Sequence, residues 1–298
     1  MSPAPPGTQG TLTDASCSRR ALREGEPLAG TAPEAKGWVI LEEPGPWGRD
    51  ALSDSPIPKA VVEWSEQLRS EHSIRTIAAR HPSRRRLDPS EPRNVWLAMC
   101  EPGHRQLRHV QVPDLEEVCE WDLAPVSAAE LPHVGRPLDQ PVEFICTHSA
   151  RDTCCAVLGR QAIARAAHAW ECSHLGGHRF AATSLVLPEG NCFGRLAPDD
   201  DRDSSHLRGA THLPPDLQVA EIAVRMHLGL GPSTPLRTTP GPEAGTAEVR
   251  DTDGNGWLVR CEEGRIIRPI SCRTEPSESR YWQAVLVEPW KESYPHGH

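Results

Sequence analysis

Apolar residues in this chain come in short runs broken by glycine and proline, which favours short strands and helices. Residues 37–42 (GWVILE) predict a strand feeding the loop at 44–48 (PGPWG). Residues 59–70 have the spacing of a short amphipathic helix, and 73–79 (SIRTIAA) and 94–100 (NVWLAMC) are further strand candidates. A short, mostly apolar run at 142–145 leads directly into Cys146. The alanine-rich stretch 156–170 predicts a helix behind that loop. Residues 183–188 (TSLVLP), the turn Glu189-Gly190-Asn191 and residues 192–196 predict a hairpin. Residues 217–228 (LQVAEIAVRMHL) read as an amphipathic helix, and 247–250, 257–261 and 282–287 as short strands.

These elements place the chain in the α/β class. Its length suits two domains of ordinary size. The stretch 131–141 (LPHVGRPLDQP) marks a boundary, and 229–245 is a Gly/Pro/Thr-rich linker. The expected organisation is a flexible N-terminus (1–15), an N-terminal α/β domain (16–135), a second domain (136–235), then a linker and C-terminal β extension (236–298). No internal sequence repeat stands out.

A formal charge of −9 argues against non-specific nucleic-acid binding and suits docking to a basic redox partner. Arg84, Arg85 and Arg86 form a small basic patch that reads as a solvated loop. The first residues lack a basic start followed by an apolar run, and no stretch approaches the ~18 apolar residues of a spanning helix. The expected location is therefore the cytoplasm, with no membrane partner.

Ten cysteines need a reason in such a compartment. Four of them, Cys146, Cys154, Cys155 and Cys172, share one segment with His148, His168, His174 and His178. The other six, Cys17, Cys100, Cys119, Cys192, Cys261 and Cys272, are scattered and read as small buried residues.

Within the segment two ligand pairs stand out, Cys146 with Cys155 and His174 with His178. Thiolates suit an iron–sulfur cluster, and two imidazoles on one iron remove negative charge and raise the potential. A Cys2His2 set is also a common tetrahedral zinc set, although Cys146 and Cys155 stand further apart than a zinc knuckle requires. Spacing alone leaves both readings open. Gly176 and Gly177 make a regular helix between the histidines improbable and predict a turn folded round the metal. Arg151 and Asp152 lie in the first loop, where an ion pair could shape it.

Residues 251–262 (DTDGNGWLVRCE) have the spacing of a calcium loop, but the flanking Gly and Pro oppose entering and exiting helices. A hairpin turn is expected there instead. The C-terminal HGH is a site for adventitious metal.

CTHSARDTCC (146–155) and WECSHLGGHRFAATSLVLPEGNCFGR (170–195) resemble signatures of the sucrase/ferredoxin-like family. The resemblance extends through residues 26–52, 206–210 (HLRGA) and 218–225 (QVAEIAVR). It implies a thioredoxin-like ferredoxin domain binding a [2Fe–2S] cluster; with the organisation above, the expected fold adds an N-terminal α/β domain and a short C-terminal β extension. Its implied ligands are Cys146, Cys155, His174 and His178. Cys154 adjoins Cys155 and competes with it, and Cys172 could replace a histidine. His148 reads as an outer contact or an exposed group.

The expected function is one-electron transfer with an unidentified redox partner protein, with proton coupling at a ligand histidine open to it because reduction raises the proton affinity of the imidazole. The alternative is a zinc-stabilised structural or protein-interaction domain without redox activity. Thiol chemistry at Cys154/Cys155 ranks lowest, because C-x-x-C is absent there.

Overall fold

The computed structural model describes residues 12–83, 91–123 and 130–290. The basic patch at Arg84–Arg86, most of the N-terminal segment and the terminal HGH lie outside the described residues. The architecture is a mixed α/β fold with one large sheet, flanking helices and a smaller second sheet.

The first half contains β1 (Gly37–Glu42), α2 (Lys59–His72), β2 (Ile74–Arg80), β3 (Arg93–Met99) and β4 (Gln106–Val112), preceded by a short helix α1 (Cys17–Arg23). The run GWVILE is buried along its whole length. Trp38 and Ile40 enter one core and Val39 and Leu41 the other, as alternating side chains of a central strand must. Helix α2 turns Val61, Ser65 and Leu68 inward at helical spacing.

The second half contains β5 (Arg136–Pro137), β6 (Val142–Cys146), α3 (Thr153–Ile163), β7 (Trp170–Cys172), β8 (Ser184–Leu187), β9 (Asn191–Phe193), β10 (Leu207–Ala210) and α4 (Pro215–Leu228). Helix α3 is displaced from its expected span. It starts earlier because Asp152 caps it, accepting from the Cys154 N–H at 2.8 Å. It ends at Ile163 because Trp170–Cys172 is drawn into a parallel ladder with β6. Tertiary pairing there overrides the alanine-rich composition.

The two halves repeat one topology. In each, a β-α-β unit of parallel strands is followed by two antiparallel strands, giving the orders β4-β3-β1-β2 and β9-β8-β6-β7. An antiparallel junction between β2 and β7 (Ala79↔Cys172, Arg80↔Glu171) joins them into one ten-stranded sheet. The sheet is continuous across residues 135 and 136, with β5 paired to β4.

The C-terminal part forms a four-stranded antiparallel sheet of β11 (Arg237–Pro240), β12 (Thr246–Arg250), β13 (Gly256–Pro269) and β14 (Pro276–Trp290). Strand β11 falls in the expected linker, and β13 and β14 run well past their expected ends. Helix α4 covers this sheet, with Leu217 and Val224 clustering with Val249, Val259 and Cys261. The 251–255 segment is the expected hairpin turn: the Asp251 carboxylate accepts from the N–H of Asp253 and Asn255 and from Asn255 Nδ2. Beyond Pro269 the long hairpin turns back, and its tip reaches the segment that carries the cysteines and histidines.

Candidate metal centre

Cys146 closes β6, and its N–H donates to the Thr183 carbonyl at 2.9 Å. The chain then loops through His148 to Asp152 before entering α3. His148 is buried; its Nε2–H donates to the Gly48 carbonyl at 2.7 Å, and its ring meets Trp47 edge-on. The loop after β1 therefore braces the loop after β6. Asp152 acts as the helix cap rather than as a partner of Arg151, which instead lines a neighbouring cleft.

Cys154 and Cys155 occupy the first turn of α3, where successive side chains diverge by about 100°. They consequently face different groups. Cys155 joins Cys146 and His174, with ligand atoms all within 4.8 Å of one another. Cys154 joins Cys17, Asp152 and Cys272 in a second such group. Helix α3 sits close to β6 because Gly159 faces the Cys146 carbonyl, and a Cβ there would collide with that oxygen.

The loop 173–178 returns the histidines to this point. Gly176 and Gly177 both have positive φ, and a Cβ on Gly177 would strike the Arg208 guanidinium. Arg208 is buried and holds the loop from behind, donating to the carbonyls of Gly176 and Thr31 and to Thr31 Oγ1. Burial pushes its pKa down to about 10. The rings of His174 and His178 stack with centroids 5.0 Å apart, and His178 Nδ1 lies 3.3 Å from His174 Nε2. His178 Nε2–H donates to the Ile270 carbonyl at the hairpin tip. His174 Nδ1 is buried with no hydrogen-bond partner among the described residues. Arg179, beside His178, and Arg268, at the end of β13, both pair with the buried carboxylate of Glu26, at 2.6 and 2.5 Å.

The electrostatics separate the thiols. Cys155 donates a hydrogen bond to the Cys146 sulfur, which outweighs burial and holds Cys146 well below the usual thiol range, with His174 adding to the effect. That same bond and burial push Cys155 up. Cys154 falls to about 3, through hydrogen bonds from Cys17 first and Cys272 second. Cys172 is pushed well up by burial and joins neither ligand group among the described residues. Two adjacent groups of Cys, His and Asp side chains able to coordinate a metal ion are thus present, buried except for the half-buried His174 and the surface Cys272.

Residues 28–203 match the family described as sucrase/ferredoxin-like. The chain belongs to this family. No curated protein and no solved structure matches it. In this sucrase/ferredoxin-like protein, Cys146, Cys155, His174 and His178 fall inside the matched span, whereas Cys17 and Cys272 fall outside it. By position in the sequence those two are scattered thiols. Their only signal is the count of ten cysteines, because each meets its partners from a distant part of the chain.

Proposed function

We propose that this sucrase/ferredoxin-like protein is a one-electron carrier. Its second half is a thioredoxin-like domain whose Cys146, Cys155, His174 and His178 hold a [2Fe–2S] cluster. The observation that carries the reading is the pairing of donors. Two imidazole nitrogens bound ~2.0–2.1 Å from one tetrahedral metal lie ~3.3–3.4 Å apart, and His174 Nε2 and His178 Nδ1 are 3.3 Å apart. His178 stays outside the 4.8 Å group of Cys146, Cys155 and His174, so the four-donor set is broader than one ion requires. The lowered pKa of Cys146 fits a metal-bound thiolate. The strand order β9-β8-β6-β7 around a β-α-β unit supports the thioredoxin-like comparison.

When bound, the cluster supplies one reversible electron at a potential raised by imidazole ligation. The chain's own residues fix the surroundings. His178 keeps its Nε2 proton on the Ile270 carbonyl, which leaves Nδ1 free to coordinate. Arg208 places a buried cation behind the loop. Leu175 and Phe180 are fully buried and exclude water. On the open side, His174 borders a cleft of about 280 Å³ where Arg49, Arg69, Arg75 and Arg151 outnumber Asp50 and Glu66. This basic cleft suits an acidic surface on a soluble cytoplasmic redox partner, although the chain as a whole is acidic.

A second reading rests on the compactness of Cys146, Cys155 and His174, which with His178 would make a Cys2His2 zinc set holding a structural domain. Anaerobic purification separates the two. About two irons and two sulfides per chain, with a visible chromophore that dithionite bleaches to an EPR-active form, support the carrier. Zinc bound by two sulfurs and two nitrogens, with no sulfide even after iron–sulfur reconstitution, defeats it.

A further inference from the structure

A second group of thiols lies beside the first and is left unused by that function. Cys17 comes from α1, Cys154 from the first turn of α3 and Cys272 from the tip of the β13–β14 hairpin. Their sulfurs are 3.6 Å (Cys17–Cys154), 3.4 Å (Cys154–Cys272) and 3.5 Å (Cys17–Cys272) apart. Asp152, fully buried, places Oδ1 3.7 Å from the Cys17 sulfur. A disulfide needs ~2.05 Å between sulfurs. Three sulfurs ~2.3 Å from one tetrahedral zinc lie ~3.8 Å apart, and a sulfur and a carboxylate oxygen ~3.6 Å apart. The three sulfurs and one Asp152 oxygen all lie within 4.8 Å of one another, at spacings close to those of a tetrahedral zinc site.

The outer contacts agree. The Cys17 N–H donates to the Cys272 sulfur at 3.4 Å, and the Ser18 hydroxyl donates to the Cys154 sulfur at 3.2 Å. Such donors disperse thiolate charge round a zinc ion. Asp152 accepts from the N–H groups of Cys154 and Cys272, at 2.8 and 3.0 Å, which fixes both carboxylate oxygens before any ion arrives. Soft thiolates with one hard oxygen favour zinc over cuprous ion. Cys272 sits at the surface of the hairpin tip and gives the ion a way in.

We propose that Cys17, Asp152, Cys154 and Cys272 bind one zinc ion that clamps the N-terminal helix and the C-terminal hairpin over the neighbouring histidine site. Binding displaces the remaining thiol protons to solvent and changes no oxidation state. The clamp has a direct consequence: two residues from the zinc ligand Cys272, the Ile270 carbonyl holds His178. The proposal stands whichever metal occupies the Cys146 site.

The test uses the full chain, purified anaerobically, with zinc, iron and sulfide measured on one sample and a zinc K-edge spectrum recorded. The expected result is about one zinc beyond whatever fills the first site, in a shell of three sulfurs at ~2.3 Å and one oxygen. Cys17→Ser/Cys272→Ser should lower that zinc at least tenfold while the Cys146-site metal remains. The K-edge spectrum of the unmutated chain keeps the test decisive if the variant does not fold. Two zincs per chain, one of them lost in the variant, support the clamp and defeat the electron-carrier reading. A single zinc with two sulfurs and two nitrogens, a disulfide among the three cysteines without zinc, or a folded variant that keeps all its zinc overturns the clamp.

Discussion

His178 is held from the far end of the chain: its Nε2–H donates to the carbonyl of Ile270, 92 positions later. A histidine that gives one ring proton to a backbone carbonyl has its tautomer fixed, with the other nitrogen carrying the lone pair. Here that nitrogen is Nδ1, which faces His174. The C-terminal hairpin lies outside the span matched by the family, yet it sets the orientation of a proposed ligand.

Replacing either imidazole by a thiolate tests the ligand set. His174→Cys and His178→Cys should each keep a visible chromophore and lower the reduction potential, on the order of 100 mV or more, because a neutral ligand becomes anionic. Spectroelectrochemistry on the three proteins reads this directly. A variant whose potential matches that of the parent removes its residue from the ligand set.

Gly159 is the contact that sets the distance between α3 and β6. Alanine is the better helix former by ~1 kcal/mol, so an exposed site would gain stability. Here the added methyl meets the Cys146 backbone carbonyl, which cannot swing away. Gly159→Ala should cost roughly 1–3 kcal/mol in denaturant midpoints. It should also reduce metal content, since α3 carries Cys155. A variant as stable as the parent would mean that the helix shifts freely.

The two proposed ligand pairs are legible in the sequence because each lies within one short stretch of chain, so spacing carries information about space. Cys17 and Cys272 are not, because they meet Cys154 across 137 and 118 positions. Helix α4 follows its periodic pattern, whereas the alanine-rich stretch after Cys155 ends early to let Trp170–Cys172 pair with β6. Strands β13 and β14 extend through residues such as Glu262, Glu263 and Arg265, which show no apolar alternation and are strand only because each has a partner across the hairpin. The repeated topology of the two halves is invisible for a related reason: strand order is a property of backbone pairing, and unrelated side chains satisfy it.

Acid should weaken the fold through half-buried imidazoles. Burial is the largest influence on His212 and lowers its pKa; Arg105 and Arg225 act the same way, against Glu221 and Glu101. Its Nδ1 has no hydrogen-bond partner among the described residues. The unfolded histidine, with a pKa near ~6.5, therefore binds a proton that the folded one refuses. Stability is complete above that value and is lost as pH falls through it toward the folded pKa. Urea midpoints at about pH 7.5 and 5.5 should fall for the parent and fall less for His212→Gln. Equal losses in both proteins would place the acid sensitivity at other groups, such as His109, which burial also lowers.

The arginine-lined cleft beside His174 should govern which electron acceptors react fastest. Arg69 and Arg151 both line it, and Arg69 is exposed. Their charges act on an approaching ion through solvent, so the effect depends on the sign of the acceptor and on salt. Reduced protein should pass electrons to ferricyanide faster than Arg69→Glu/Arg151→Glu does, by roughly tenfold at low ionic strength. With hexaammineruthenium(III), a cation of similar size, the order should reverse. Raising salt until the Debye length falls to ~3 Å, at about 1 M, should bring parent and variant together for both acceptors. A variant slowed equally toward anion and cation would have lost the cluster or its geometry. One unchanged toward both would place the electron's exit away from His174.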